Sequence, residues 1–392
     1  MRSSKARVVL GFVRGAGALA LCLVAGFRVV SAAEVTLATK EVSLGNLPPG
    51  SIRLAVSPDS KRVGYVAQRG GQRLLVGREV LLLGGKWLVV LDGVEGRQYD
   101  GIGKGSPVFS PDSKRLAYGA VRGNNQLVVV DGVEGKEYDG VGPPVFSPDS
   151  KRVAFGAGRA RNQLVVVDGV EAKEYDGIEA GTLVFSADSK RVAYVAGRAD
   201  KDLVVLDGVE EKEYDGIGAR GLVFSPDSKR VAYGAGRPKQ LVVMRPVEVY
   251  LAGKQLVVVD GVEGKEYDSI LKGTLVFSAD SKRVAYVAER YDKDLVVVDG
   301  VEGKEYDLAR APVFSPDSKR VVYEATRGGK WLVVVDGVEG KEYDGFLKGR
   351  EPVFDSPSQL HALALRGGEF LRVEVEIVMP SAEPSGAPRP PL

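Results

Sequence analysis

Histidine and cysteine, which many enzymes use as bases, nucleophiles and metal ligands, are almost absent from this sequence. His361 is the single histidine and Cys22 the single cysteine. Ser-His-Asp and Cys-His catalysis both need a histidine beside the nucleophile, and zinc and copper sites are built largely from histidine and cysteine. No G-x-S-x-G motif occurs either. We therefore expect His361 to be structural, and the protein to be a non-enzyme without a metal or another cofactor.

Carboxylates are the remaining groups for acid-base chemistry. An aspartate recurs in the phrase S-x-D-S-K-R, at Asp59, Asp112, Asp149, Asp188, Asp227, Asp280 and Asp317. In a turn, such a side chain accepts hydrogen bonds from nearby backbone N–H groups, and we expect that role. The alternative is a hydrolase or lyase with paired carboxylates, but no pair is distinguished from the others. The recurrent D-G-V-E-G-K-E lacks the alternating oxygen ligands of a calcium loop.

A second recurrent charge is an arginine that follows the second apolar run of each unit. The series is Arg69, Arg122, Arg159, Arg198, Arg237, Arg290, Arg327 and Arg366. We expect these arginines to pair with the aspartates of the E-Y-D triplets, one of which is Q-Y-D; they are Asp100, Asp139, Asp176, Asp215, Asp268, Asp307 and Asp344. The alternative is a cationic rim for an anionic partner or polysaccharide, with Arg122, Arg159, Arg198, Arg290 and Arg327 as candidate contacts.

The elements that position these residues form a repeat. Successive aspartates of the S-x-D-S-K-R phrase are 53, 37, 39, 39, 53 and 37 residues apart. Each unit has four short runs rich in Val and Tyr, separated by S-P-D-S and by D-G-V-E-G, which are typical turn sequences. Four strands in units of about 40 residues predict the blades of a β-propeller. The continuous LVVV run predicts a strand covered on both faces.

The phrase F-S-P-D-S-K-R-V-A-Y followed by L-V-V-V-D-G resembles the WD40-like propeller repeat of TolB-type periplasmic proteins. The resemblance covers roughly residues 50–378. It implies an all-β propeller and a periplasmic scaffold, but it does not imply the partners of that family. This chain has Ser where the family has Gly after the aspartate, and Phe where the family has Trp in the first strand.

The number of blades follows from the C-terminal part of the chain. After the seventh unit, EPVFDSPSQLHALALRGGEFLRVEVEIV supplies three strands of an eighth blade. The segment Lys40–Gly45, KEVSLG, is similar to KEYDGI and is the candidate for the missing fourth strand. Such a strand would leave no free blade edge. We predict eight blades closed by an N-terminal strand, with seven as the alternative.

Two units are longer than the others, since each carries an addition between its second and third strands. The additions are QRLLVGREVLLLGGK from Gln72 and KQLVVMRPVEVYLAGK from Lys239. We expect two β-hairpins with turns near Gly77–Arg78 and Arg245–Pro246, which either pack back on their blades or bind a partner. The candidate partner-binding residues here are Arg78, Glu79, Arg245, Glu248 and Tyr250.

The N-terminus has the pattern of a secretory signal peptide over residues 1–33, with basic residues, an apolar stretch and a small-residue site after Ala33. A lipoprotein anchored at Cys22 is the alternative. Removal of the five basic residues of this segment leaves 49 basic against 52 acidic residues. This balance gives no signal for nucleic acid, and we expect no membrane insertion after cleavage. We predict one propeller domain over residues 34–379 and a Pro-rich disordered tail over 380–392.

The expected function follows from this architecture. We expect a periplasmic or secreted, non-enzymatic propeller that is a scaffold for a protein partner or a cell-envelope component. The alternatives are a carboxylate-based hydrolase or lyase, and a protein that binds a small ligand or glycan in the central channel. A specific site is expected where the repeat is broken, because the repeated residues serve packing.

Overall fold

The computed structural model describes residues 52–378, except 77–78, 219–220, 238–239, 245–246, 252 and 348–350. These residues belong to one compact unit, Pro48–Leu392. All regular elements within this part of the chain are strands, which form eight blade sheets and two separate two-stranded sheets. Within the same part of the chain, no helix is long and apolar enough to cross a membrane. The predicted all-β propeller with eight blades is confirmed.

The first strand of a blade lies at one edge of its sheet, which we call the inner edge because first strands line the axis of a propeller. In blade 1 it is Ile52–Val56. In the other blades it has two segments, both paired with the second strand. They are Gly101–Ile102 and Val108–Phe109, Gly140–Val141 and Val145–Phe146, Gly177–Ile178 and Val184–Phe185, Gly216–Ile217 and Val223–Phe224, Ser269–Ile270 and Val276–Phe277, Leu308–Ala309 and Val313–Phe314, and Gly345–Phe346 and Val353–Ser356.

The second and third strands form the centre of each blade. The second strands are Val63–Arg69, Leu116–Arg122, Val153–Arg159, Val192–Arg198, Val231–Gly236, Val284–Arg290, Val321–Arg327 and Gln359–Arg366. The third strands are Lys86–Leu91, Asn125–Val130, Asn162–Val167, Lys201–Leu206, Gln255–Val259, Lys293–Val298, Lys330–Val335 and Glu369–Glu376. Leu203, Val204 and Val205 in blade 4 are all fully buried, which confirms that the LVVV run is covered on both faces.

The fourth strand follows a two-residue Asp-Gly turn. In blade 2, Asp131 and Gly132 have φ of 52° and 82°, as a tight hairpin turn requires. The fourth strand thus begins at the valine after the turn. The sequence predicts a later start, at the K-E-Y run. The fourth strands are Val94–Glu95, Val133–Tyr138, Val170–Glu171, Val209–Tyr214, Val262–Glu263, Val301–Tyr306 and Val338–Tyr343.

The hydrophobic core lies between successive blades. One cluster joins Val195 and Val204 of blade 4 to Tyr233, Leu256 and Val258 of blade 5. Equivalent clusters join the other neighbouring blades, up to blades 7 and 8. A single blade cannot cover both faces of its sheet, so repetition stabilises the fold through these interfaces.

The repeated phrase forms the turn between the first and second strands and also links blades. In blade 1 the Oγ of Ser57 donates to the Oδ1 of Asp59 at 2.6 Å, and that oxygen also accepts the N–H of Lys61 at 3.1 Å. This confirms the turn role predicted for the aspartate. Arg62 donates from Nη1 to the carbonyl oxygen of Lys114 in blade 2 at 2.9 Å. The Cζ of Arg62 also lies 5.9 Å from the ring centroid of Phe109 in blade 2. The Phe that begins the phrase therefore makes a cation–π contact with the arginine of the preceding blade.

Blade 8 has the three strands predicted for it. Its inward face packs on blade 7 through Leu360, Ala362 and Ala364. On the opposite face Leu363 is 38% and Phe370 is 71% exposed. The predicted fourth strand from residues 40–45 lies outside the described residues, as do the signal peptide and the C-terminal tail.

The two additions form antiparallel hairpins, as predicted. Hairpin 1 pairs Gln72–Val76 with Glu79–Leu83, and its register ends at Val76 opposite Glu79. Hairpin 2 pairs Gln240–Met244 with Val247–Leu251. Each is a sheet separate from its parent blade.

Candidate functional site

The recurrent arginines pair with glutamates of their own blade. Arg122 contacts Glu134 at 2.6 Å and Glu137 at 3.0 Å, so its side chain crosses the third strand to reach the fourth. The predicted pairing with the E-Y-D aspartates is therefore wrong, because the long guanidinium side chain passes over the sheet instead of staying at the strand end. The other candidate rim residues have the same pattern: Arg159 with Glu171 and Glu174, Arg198 with Glu210 and Glu213, Arg290 with Glu302 and Glu305, and Arg327 with Glu339.

One glutamate of each set also joins two blades, namely Glu134, Glu171, Glu210, Glu302 and Glu339. Glu134 accepts a hydrogen bond from the hydroxyl of Tyr99 in blade 1 at 2.9 Å, and Arg97 of blade 1 lies 3.2 Å away. The hydrogen bond from Arg122, followed by that from Tyr99, lowers the pKa of Glu134 to about 2. The candidate cationic rim is thus matched by carboxylates, and its arginines pair with the glutamates that link neighbouring blades.

The E-Y-D aspartates have a different role. Asp100 accepts the N–H of Gly123 in the next blade at 2.8 Å and pairs with the Nζ of Lys86 at 2.5 Å. These two bonds, the backbone bond first, hold the pKa of Asp100 below its usual range. Asp307 makes the same two contacts, with Gly328 and Lys293. The aspartate therefore caps the turn between the second and third strands of the following blade.

His361 lies in the second strand of blade 8. Its Nδ1 is 2.8 Å from the Oδ2 of Asp355, in the neighbouring first strand. The contact fits the structural role expected for this histidine. In the described part of the chain, no group of three or more His, Cys, Asp or Glu side chains has an arrangement suited to a metal ion.

For the candidate partner-binding residues of the hairpins, the structure describes the backbone only. Glu79 is at the end of hairpin 1, opposite Val76. Glu248 and Tyr250 lie on the second strand of hairpin 2, and their side chains are outside the described part of the structure. Arg78 and Arg245 lie outside the described residues. The structure brings the two acidic candidates and Tyr250 to the hairpins and leaves the arginine rim on the blades.

A position that varies between blades lies at the inner edge. In blades 2 to 8, the residue after the first segment of the first strand donates its backbone N–H to a carbonyl oxygen of the second strand, such as Gly103 N to Gly119 O at 2.8 Å. The side chains of this pair differ from blade to blade. From blade 2 to blade 8 the pairs are Gly103–Gly119, Gly142–Gly156, Glu179–Val195, Gly218–Gly234, Leu271–Val287, Arg310–Glu324 and Leu347–Leu363.

The glycine pair of blade 5 lines a cavity of about 790 Å³. Gly218 and Gly234 line it between the larger pairs of blades 4 and 6. Its wall also has polar groups: Glu179, Asp202, Asp215, Arg237, Gln255 and Lys272. Arg237 and Gly253 stand at the base of hairpin 2, so the cavity adjoins that hairpin. Sequence reasoning missed this cavity, although Gly234 is visible in the strand VAYGAG.

Several polar atoms of the cavity wall are already used. Asp202 accepts the N–H of Ile217 at 3.0 Å, and Gln255 accepts that of Ile270 at 2.8 Å. Arg237 pairs with Glu263 at 2.5 Å and with Glu266 at 3.1 Å. Volumes of 300–1,000 Å³ are typical of small-ligand sites. The cavity therefore has the size of a ligand site, with polar groups that are held in fixed positions.

Comparison with known proteins gives similarity at the level of the fold. No protein-family model and no curated protein matches the chain. A structure described as the eukaryotic initiation factor aligns over 85% of this chain and 91% of its own, with 10% identity and a TM-score of 0.43. The β-propeller domain of the Trilobed protease from Pyrococcus furiosus aligns over 71% and 95%, with 14% identity and a TM-score of 0.31. TolB from Acinetobacter baumannii aligns over 72% and 80%, with 14% identity and a TM-score of 0.27. Similarities of this size carry no conclusion about function.

Proposed function

We propose that this protein is an exported, non-enzymatic propeller that binds a protein partner or a cell-envelope component through its two hairpins. The observation that carries the proposal is that both hairpins are sheets of their own, inserted at equivalent places in blades 1 and 5. The repeated charges are occupied in contacts within and between blades, as Arg122 and Glu134 are. The hairpins are therefore the part of the described chain that departs most from the repeated contacts within and between blades.

Hairpin sequence supports a binding role. The strands Gln72–Val76 and Glu79–Leu83 contain LLV and VLLL, and hairpin 2 contains LVVM and VYL. Apolar strands at a site of interaction supply buried area, while neighbouring charges such as Glu79 and Glu248 supply orientation. A protein surface or an envelope component fits this composition better than an anionic polysaccharide or a nucleic acid.

The test replaces each hairpin with the turn of another blade. Residues 70–85 and the corresponding residues of hairpin 2 are exchanged, singly and together, for the Gly123–Asn124 turn of blade 2. The protein from residue 34 onward and its variants are immobilised, envelope extract is applied, and captured proteins are identified and re-tested in purified form. We expect a saturable partner that the double variant loses. Equal binding by a folded double variant would contradict the proposal.

Export is tested separately. A fusion of residues 1–33 to a reporter is expected to deliver the reporter outside the cytoplasm, and mature protein is expected to start near Glu34. Retention of the reporter in the cytoplasm would remove export from the proposal and leave the hairpin test unaffected.

The cavity of blade 5 favours a second candidate function, the binding of a small polar ligand such as a glycan. Gly234→Val introduces the residue that blades 4 and 6 have at this position, Val195 and Val287. A Cβ at Gly234 meets only Ile270 Cγ2, at 3.9 Å, so the variant is expected to fold. Gly156→Val in blade 3 is the control, because a Cβ there meets nothing within 4 Å. Thermal stabilisation by a glycan that G234V abolishes and G156V retains would support this function; no stabilisation by any glycan tested would contradict it.

A further inference from the structure

An apolar groove of about 670 Å³ runs along the inner edges of blades 6, 7 and 8. It follows the second segments of their first strands, Val276–Phe277, Val313–Phe314 and Val353–Ser356. The side chains that give the groove its character are Phe277, Phe314, Phe354, Pro312, Pro352 and Val353. The groove therefore offers aromatic and proline rings along three successive blades.

The groove is open to solvent. Val353 is 51% exposed, although its counterparts Val276 and Val313 are half-buried. The three phenylalanine rings are half-buried as well, so one part of each ring packs between blades and another part faces the groove. An exposed apolar groove of this size is typical of a binding site.

Blade 8 departs from the repeat at the turn next to the groove. In blades 1–7 the turn between the first and second strands has a Lys-Arg pair, such as Lys319–Arg320 in blade 7. The side chain of Lys319 is 81% exposed. Blade 8 has Ser358–Gln359 instead. The end of the groove at blade 8 therefore lacks the two cations that every other blade has at this turn.

The last described residues lie beside this turn. The third strand of blade 8 runs towards it, and the N–H of Ile377 donates to the carbonyl oxygen of Ser358 at 2.8 Å. The groove reaches the same end of the blades, because the turn residues Ala279 and Pro316 belong to its wall. Residues 379–392 therefore begin at the end of the blades that the groove reaches.

Residues 379–392 are long enough to follow the whole groove. They are 14 in number, and in a polyproline II helix they span about 43 Å, at a rise of about 3.1 Å per residue. The third and first strands of blade 8 are two strand spacings apart, about 10 Å, and each further blade adds about 10 Å. The path from the last described residues to blade 6 is therefore about 30 Å, which is within this reach.

The sequence of these residues suits the groove. It is MPSAEPSGAPRPPL, with prolines at 380, 384, 388, 390 and 391. A Pro-rich segment is extended before it binds, so it loses little conformational entropy, and aromatic-lined grooves bind such segments. Because proline has no N–H, a segment of this kind does not add to a sheet as a further strand. Contact with the groove would thus be made by ring packing.

We propose that the groove is a binding site for a Pro-rich segment in the polyproline II conformation, and that its occupant is residues 379–392 of this chain. The prolines pack on Phe277, Phe314 and Phe354, and the same contact covers Val353. The bound segment lies along the channel wall of blades 6–8 and excludes other Pro-rich segments from the groove. The site is separate from the hairpins, which are inserted at the opposite ends of their blades.

The test follows the mobility of the segment in the protein from residue 34 onward, which has no cysteine because Cys22 precedes it. Ser385→Cys gives one site for a nitroxide spin label, and the electron paramagnetic resonance spectrum separates immobilised from mobile label. Val353→Lys places a charge in the groove. Val133→Lys is the matched control, since Val133 is 71% exposed and lies in the fourth strand of blade 2.

We expect an immobilised spectral component that V353K loses and V133K retains. Unlabelled peptide of residues 379–392 is expected to displace this component saturably, whereas a peptide with alanine at all five proline positions leaves it unchanged. The competition needs no groove variant, so it also decides the proposal if V353K does not fold.

A fully mobile label before any change to the groove would overturn the proposal. An immobilised label in folded V353K, or equal displacement by both peptides, would do the same. An immobilised component that grows with protein concentration would overturn the intramolecular occupant, because the segment would then bind a second copy. None of these results depends on the hairpins.

Discussion

The backbone N–H of Asp149 donates a hydrogen bond to the Oγ of Ser189, 2.9 Å away in the next blade. Ser189 has a φ of 65°, a left-handed conformation that normally favours glycine. The serine after the aspartate thus accepts backbone strain, and its hydroxyl joins two blades. Equivalent bonds run from Asp59 to Ser113, Asp112 to Ser150, Asp188 to Ser228, Asp227 to Ser281 and Asp280 to Ser318.

This relationship predicts an order of stability for variants of Ser189. Ser189→Ala keeps the strained backbone and leaves the Asp149 N–H without its acceptor, which is expected to cost about 1–3 kcal/mol in the free energy of unfolding. Ser189→Gly loses the same bond but removes the strain, so it is expected to be more stable than the alanine variant by about 1 kcal/mol. Equilibrium unfolding in urea measures both. An alanine variant as stable as the wild type would show that the inter-blade bond has no net effect, and Ser358→Ala, at an exposed turn, is the control.

The glutamates that join blades predict a loss of stability in acid. Hydrogen bonds from Arg159, then Lys136 and Tyr138, lower the pKa of Glu171 to about 2 from its ordinary value of 4.5. Because the folded pKa is depressed, the stabilisation is complete above pH 4.5 and is lost as the pH falls towards 2.

The midpoint of thermal unfolding is therefore expected to fall steeply between pH 5 and pH 2. Glu171→Gln is expected to lower the midpoint at pH 7 and to have little effect near pH 2. A constant difference between the two proteins across this range would show that the charge of Glu171 is not responsible.

The inter-blade core predicts a large effect of a single deletion of side-chain volume. Leu203 is fully buried between blades 3 and 4, in the cluster with Val165 and Tyr175. Leu203→Ala is expected to lower the free energy of unfolding by about 2–5 kcal/mol. Val209→Ala, where 66% of the valine is exposed, is expected to change it by less than about 0.5 kcal/mol. Similar losses in both variants, measured by urea unfolding, would contradict an inter-blade core at Leu203.

Repeat spacing and turn chemistry were sufficient to predict the eight blades and both hairpins, because each depends on local sequence. The turn role of Asp59 also followed, since its partners Ser57 and Lys61 are two residues away. The partner of Arg122 did not follow, because strand alternation gives the face of a residue but not the reach of a long side chain to Glu134. The cavity beside Gly234 and the groove beside Phe314 depend on neighbouring blades, and no local pattern contains that information.

The most direct test compares the two candidate binding surfaces on the same partner. One variant lacks both hairpins, and the other carries Arg122→Gln, Arg159→Gln and Arg198→Gln on an intact set of hairpins; both are first checked for a folded structure. The dissociation constant of a purified envelope partner is then measured for each. We predict that the first variant loses binding and that the second retains it, because its arginines are already paired with glutamates. Loss of binding in the arginine variant with retention in the hairpin variant would contradict the account and place the site on the rim.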